Sequence, residues 1–186
     1  KSRSLARPHT GTAEIMARIV LLDADELSPG EASFAQLILE NEDVAVGGDH
    51  FVLRSYSPVT TIGGGRILDP QPGKHKRKNP KILEDLKILQ SGALPEKILV
   101  LLDRAGFTGI AIRRLAFRLG VSVKKIREAL EKLFSDRRAI LLSGEDTTAL
   151  SAGLYAHLEE LLIQSLADYH RSHPLKEGIS KEELKA

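Results

Sequence analysis

Gly48-Asp49-His50-Phe51-Val52-Leu53-Arg54-Ser55-Tyr56-Ser57-Pro58-Val59-Thr60-Thr61-Ile62-Gly63-Gly64-Gly65-Arg66-Ile67-Leu68-Asp69-Pro70 is the stretch whose reading decides the fold. His50 to Tyr56 reads as a strand, Pro58 to Ile62 as the next, and Arg66-Ile67-Leu68 as a third after the glycines. Such short segments between turn residues belong to an antiparallel sheet. The glycine triad is not a phosphate loop. That chemistry needs Gly-x-x-x-x-Gly-Lys-Ser/Thr, so that backbone N–H groups, a lysine and a metal-binding hydroxyl converge. Here Arg66 follows and no helix begins, so a tight strand connection is expected.

Upstream the same grammar holds. From Thr12 to Leu22, Ala13, Ile15, Ala17, Ile19 and Leu21 alternate with Glu14, Met16 and Arg18, a period of two that marks a strand. Leu27-Ser28-Pro29-Gly30 is turn chemistry. Phe34 to Glu40 and Val44-Ala45-Val46 read as further strands, the latter ended by Gly47-Gly48-Asp49. Five or six short strands point to a small antiparallel barrel.

Downstream the period changes. Asp69-Pro70-Gln71-Pro72-Gly73 stops the last strand, and Lys74-His75-Lys76-Arg77-Lys78-Asn79-Pro80-Lys81 follows as a basic connector. Helices are expected over Ile82 to Gln90, from Pro95 to Gly106 with Ile98, Leu99, Leu101 and Leu102 buried, and over Ile110 to Leu119, stopped by Gly120. Ile112, Leu115, Ala116 and Leu119 form one face of that last helix. Ser122 caps a further helix, whose Ile126, Ala129, Leu130, Leu133 and Phe134 form a stripe. Arg138 to Leu142, a turn at Ser143-Gly144, and Thr147 to Leu150 complete a hairpin. Three helices and a hairpin make a winged helix, which holds its third helix clear of the core to meet a groove or a protein. The pattern restarts with a helix from Leu154 to Tyr169, Leu154, Leu158, Leu161, Leu162 and Leu166 inward. Gly178-Ile179 and Leu184 repeat Gly109-Ile110 and Leu115, and Ser180 with Glu183 forms a capping box.

Composition bounds the chemistry. The chain of 186 residues has no cysteine and no tryptophan, and only 4% aromatic residues. Disulfides, thiolate zinc sites and thiol nucleophiles are excluded, and a cytoplasmic protein is suited. No apolar run reaches membrane-spanning length, and the basic opening Lys1 to Pro8 has neither a signal-peptide core nor an initiator Met, so an internal fragment is expected. His170 and His173, with Asp168 and His157, read as histidines near a helix end rather than a metal site. No nucleophile elbow or His-Glu-x-x-His is present, and no catalytic residues are expected.

The net charge of +2 conceals three blocks: −4 over residues 1–73, +9 over 74–145 and −3 over 146–186. The basic block fits a polyanion partner by counterion release; a solvated linker with a charged helical surface fits equally well. Lys74, Lys76, Arg77 and Lys78 of the connector either reach a phosphate backbone or hold the linker open by repulsion. Lys124, Lys125 and Arg127 project from the third winged-helix helix, with Arg113, Arg114 and Arg118 on the one before. Glu128 and Glu131 interrupt that face, which inclines the reading to structural surface.

His9-Thr10-Gly11-Thr12-Ala13-Glu14, Gly48 to Arg54 and Thr61 to Pro70 together resemble the bacterial selenocysteine-specific elongation factors. The chain is similar to that family's third domain, a barrel equivalent to the last domain of elongation factor Tu, followed by its first winged helices. The implied fold is a multi-domain α+β chain. It comprises a barrel over 1–73, a basic connector with the first winged helix over 74–150, and the truncated start of a second over 151–186. The resemblance implies a GTP-dependent factor, using GTP and Mg in the parent protein, that carries selenocysteinyl-tRNA to the ribosome at a recoded UGA codon. In that family the barrel meets the tRNA arm, the first winged helices space the molecule, and the last ones grip an mRNA hairpin. This chain shows no GTPase domain, second barrel or final winged helices, so it is expected to be no enzyme and to hold no cofactor itself. Arg54, Thr60 and Arg66 flank the loop resembling the tRNA-facing edge and are, with Lys74, Lys76, Arg77, Lys78, Lys124 and Lys125, the RNA-binding candidates. Two other readings compete. One is a winged-helix DNA-binding regulator with the barrel as sensor or dimerisation domain; the other is a purely mechanical hinge.

Overall fold

The computed structural model describes residues 2–41, 44–142, 147–176 and 178–185. Its first part is a six-stranded antiparallel sheet of β1 (Leu5–Thr10), β2 (Ala13–Glu14), β3 (Ala17–Leu21), β4 (Ala35–Leu39), β5 (His50–Ser55) and β6 (Thr61–Arg66). The pairing path is β4-β3-β1-β5-β6, with β2 on β1. Leu37 and Leu39 of β4 and Ile62 and Gly64 of β6 line one cavity of about 600 Å³, so the sheet curls until its two edges share an interior.

Several strands differ from the sequence reading, each for a physical reason. Thr12 to Leu22 is not one strand but two, broken opposite Pro8 of β1. Proline has no N–H to give the ladder, and its carbonyl instead accepts from Ile15 N at 3.2 Å. The same proline hid β1 itself. Val44 to Val46 is not a strand; Val46 N donates to the Asp49 carboxylate at 2.9 Å, which folds the segment into a turn. The glycine triad is no connection. It forms the middle of β6, where a Cβ on Gly64 would lie 2.6 Å from Phe51 O and one on Gly65 2.8 Å from the Phe51 ring. Glycine there lets two strands approach more closely than side chains permit.

The helical part follows as expected in kind. It contains α1 (Pro80–Ser91), α2 (Leu94–Ala105), β7 (Ile110–Ala111), α3 (Ile112–Leu119), α4 (Val123–Ser135), β8 (Ala139–Leu142), β9 (Thr148–Ser151), α5 (Ala152–Ser172) and α6 (Lys181–Lys185). The second sheet runs β7-β9-β8, so the wing gains a third strand from residues read as helical, Ile110 and Ala111. The Ser143-Gly144 turn lies outside the described residues. Asn79 caps α1 by accepting from Lys81 N at 3.0 Å and Ile82 N at 3.3 Å, with Pro80 opening the helix. Ser122 caps α4, and Gly120 ends α3 in the left-handed conformation. Ser180 and Glu183 form the reciprocal capping box that opens α6.

Ile98, Leu101, Leu102, Leu115, Ile126, Leu130 and Leu133 are fully buried in the winged-helix core, with Val100 inside where Leu99 was expected. That core does not stop at the connector. Leu22 of the first sheet belongs to it, and Val20, Phe34 and Leu68 pack against it. The expected inward stripe of α5 is only half-buried, and Leu161 is 47% exposed. No residue of α5 is fully buried; it packs mainly against the wing strands and the turn after α2.

Candidate nucleic-acid interface

The strand register sorts the basic residues of the sheet by face. Arg7 of β1 stands directly opposite Arg54 of β5, and Leu5 opposite Arg18 of β3. Paired residues share a face and successive residues alternate, so the burial of Ala6 and Pro8 sends Arg7, Arg18 and Arg54 to the outer side. Two arginines face to face repel, and the local answer is Glu14. Its carboxylate accepts from Arg7 Nη1 at 2.9 Å, and that bond holds the carboxyl below its ordinary range. The Arg7 guanidinium also lies 5.6 Å from the centre of the Tyr56 ring, which is 54% exposed. Arg54 has no carboxylate within 4 Å among the described residues, so its charge faces outward.

The other two barrel candidates do not join it. Thr60 is spent on the turn between β5 and β6: its N–H donates to Ser55 Oγ at 3.1 Å, and the two hydroxyls lie 3.0 Å apart. Arg66 stands opposite His50, four residues along from Arg54's row, or about 13 Å. Its Nη2 donates to Gln90 O at 2.8 Å, satisfying a carbonyl in the last turn of α1. Only Arg54 of the three points freely from the sheet.

The connector is a pinned segment rather than a loose linker. Gln36 of β4 donates to Gly73 O at 3.1 Å and accepts from His75 N at 3.2 Å. Arg77 donates to Leu21 O and Ala24 O, both at 2.8 Å, and pairs with Asp25; Lys78 pairs with Asp25 at 2.7 Å and donates its N–H to Leu22 O. Lys78 and Arg77 together hold the Asp25 carboxyl below its ordinary range. Arg77 and Lys78 are thus fastened to the sheet, while Lys74 and Lys76 stand exposed between the pins.

In the helical part, Lys124 and Lys125 lie in the exposed first turn of α4. Arg118, read as surface, is buried: its side chain is 10% exposed and forms a two-pronged pair with Asp69, itself 3% exposed. Arg114 Nε donates to Gln71 Oε1 at 3.0 Å. Helix α3 therefore docks on the exit of the first sheet. Beside that contact Gly47 N donates to Phe117 O at 3.2 Å. Spacing could not reveal a partnership 49 residues apart, although an Asp at the end of a strand and an Arg within a hydrophobic helix face were both visible.

His75 sits at the same joint, its Nε2 buried without a hydrogen-bond partner among the described residues. Burial, followed by the nearby Arg104 charge, lowers its pKa from the ordinary 6.5. The unfolded chain then binds a proton that the folded one resists, so stability present above that ordinary value is lost as pH falls through it. The urea midpoint is expected to drop between pH 7.5 and 5.5, and His75→Asn to flatten that part of the profile. Glu14, Asp25 and Glu96, whose pKa values are lowered, act only in the more acidic carboxylate range.

His173 stacks on Tyr169 at 4.6 Å and His157 lies 6.0 Å from Phe107, and no group of three or more metal-ligating residues occurs among the described residues. No described helix is long and apolar enough to cross a membrane.

Comparison with known proteins gives this geometry a context. Residues 2–74 match the β-barrel domain of selenocysteine-specific elongation factors, and residues 163–186 match the winged helix of elongation factor SelB. A selenocysteine-specific elongation factor from Desulfomicrobium baculatum is 31% identical over 184 residues, covering 99% of this chain and 29% of that protein. The crystal structure of a bacterial selenocysteine-specific elongation factor, EF-Sec, aligns over 100% of this chain and 27% of its own, with a TM-score of 0.73 and 19% identity. A curled sheet joined to winged helices is thus part of a translation elongation factor. The chain belongs to the selenocysteine-specific elongation factor family and spans less than a third of the length of the relatives it matches.

Proposed function

We propose that this chain is the RNA-facing and spacing part of a GTP-dependent factor that delivers selenocysteinyl-tRNA to the ribosome at recoded UGA codons. The barrel of residues 1–73 meets the tRNA. The unit of residues 74–150 and the start of the next, 151–186, set the distance to winged helices that hold an mRNA hairpin. GTP and Mg chemistry belongs to other parts of the parent protein. The residues here do not fit a nucleotide: Gly63 to Gly65 lie within a strand, and the buried carboxylates of Asp69 and Asp85 are committed to arginine and lysine. The observation that supports the tRNA reading is exposed Arg54, free of any carboxylate within 4 Å among the described residues and set on the outer face opposite Arg7, with exposed Tyr56 nearby, a cationic surface with an aromatic edge suited to a phosphate backbone. The burial of Arg118 against Asp69 weighs against the DNA-regulator reading, because it docks α3, the helix that would cross a DNA backbone, on the exit of the sheet.

Binding of labelled cognate tRNA at low salt tests this. Arg54→Glu is expected to weaken binding several-fold and to make the slope of log K against log salt shallower by about 0.7–0.9, one phosphate contact. Thr60→Ala should leave both unchanged. Undetectable tRNA binding by the unaltered chain would reduce the barrel to a scaffold.

A further inference from the structure

We propose that the joint between the barrel and the first winged helix is itself an RNA-backbone-binding surface, built from Lys74 and Lys76 of the connector and Arg113 and Arg114 of α3. The inference rests on the RNA reading above but concerns a different set of residues.

Ion pairing separates the basic block into two populations. Arg77, Lys78, Lys81, Arg104, Arg118 and Arg138 are each within 4 Å of a carboxylate and are spent on holding the fold. The rest of the block has no such partner among the described residues, and of these Lys74, Lys76, Arg113 and Arg114 are exposed and adjoin the joint. They come from two structural units, and the Gln71–Arg114 hydrogen bond of 3.0 Å brings those units together. Lys74 follows Gln71 by three residues, within about 11 Å along the chain, and Arg113 adjoins Arg114 in the first turn of α3.

The connector is also ordered in advance. Gln36 fixes the residues on both sides of Lys74, and Arg77 fixes the residue after Lys76. The Cα atoms of the two lysines can be no more than about 7 Å apart, a separation suited to neighbouring phosphates of one strand. Pinned lysines lose less freedom on binding than lysines in a loose linker, so each contact keeps more of its favourable energy. The connector and the first turn of α3 hold no Phe, Tyr or Trp, and the imidazole of His75 between the two lysines is half-buried with Nε2 turned inside, so the surface would read the backbone rather than stack on bases. Structured RNA fits this chemistry, since it presents phosphates at fixed spacing.

The test uses the full 186-residue chain and fluorescence anisotropy with a labelled RNA duplex of arbitrary sequence. Lys74→Glu plus Lys76→Glu, and separately Arg113→Glu plus Arg114→Glu, are expected to weaken binding at least about tenfold at 50 mM salt. Each pair should make the slope against log salt shallower by roughly 1.5. Circular dichroism of the variants should match the unaltered chain, because these side chains are exposed. If Arg54→Glu abolishes binding while both joint pairs bind like the unaltered chain, the joint is overturned and the barrel reading stands. If the unaltered chain binds no RNA, both fall. Preference for duplex DNA over RNA that disappears in the joint variants would overturn the RNA assignment in favour of a DNA-binding regulator. Equal competition by polyglutamate would mark an acidic protein surface as the partner and overturn it likewise.

Discussion

Arg118→Ala is expected to cost about 3–5 kcal/mol of folding stability, read as a lowered urea midpoint, because it strands Asp69 as a charge in the interior. The pair joins the exit of the first sheet to α3, through Nε to Oδ1 at 2.9 Å and a second bond from Nη2 to Oδ2. Both side chains are nearly removed from water. Such a pair contributes little against two well-packed apolar residues, yet breaking it from one side is expensive. Replacing both residues by leucine should therefore recover most of the loss, and the double-mutant cycle should show strong coupling. A single substitution costing under about 1 kcal/mol would mean that water reaches the carboxylate and the joint is looser than described.

The second large effect is steric. A Cβ on Gly120 would lie 1.7 Å from Gly47 O, and one on Gly47 would lie 1.9 Å from Arg118 O. The sheet and the winged helix touch here backbone to backbone. Gly120 also has φ +64°, where an L side chain is itself disfavoured. Gly120→Ala is expected to destabilise by about 3 kcal/mol or more, since neither backbone can move without parting the two units. Gly106→Ala is the steric control: its φ of +61° and ψ of −148° are essentially reserved for glycine but nothing lies within 4 Å of the added carbon, so only a conformational cost of about 1–3 kcal/mol applies. Gly47→Ala isolates the contact itself. If Gly120→Ala cost no more than Gly106→Ala in thermal unfolding, the close approach would be refuted.

The helical half was legible because its signals are local. Ser122, Gly120, Pro95 and the Ser180–Glu183 pair each act within a few residues, and each does in the fold what its chemistry suggests. The sheet was legible as a sheet but not strand by strand. Pro8 obscured β1 and broke the pairing opposite it, and the glycines of β6 look like a turn until Phe51 is seen to need their missing side chains. Least legible was the joint. Arg77, Lys78 and Arg118 read as available charge in the sequence, and only the folded chain shows that Asp25 and Asp69 consume them. Charge along a chain says how much is present; pairing across it decides how much is offered to a partner.

Ser151 is both the last residue of β9 and the cap of α5, accepting from Leu154 N at 3.3 Å. No slack separates wing from helix. The 21 residues of α5 form a boom about 31 Å long, stepped directly into the wing. A tilt of only about 5° at its foot would sweep its far end through about 3 Å, by the geometry of a straight helix. Small adjustments of the hairpin would thereby be magnified into displacements the size of a hydrogen bond at the outer tip.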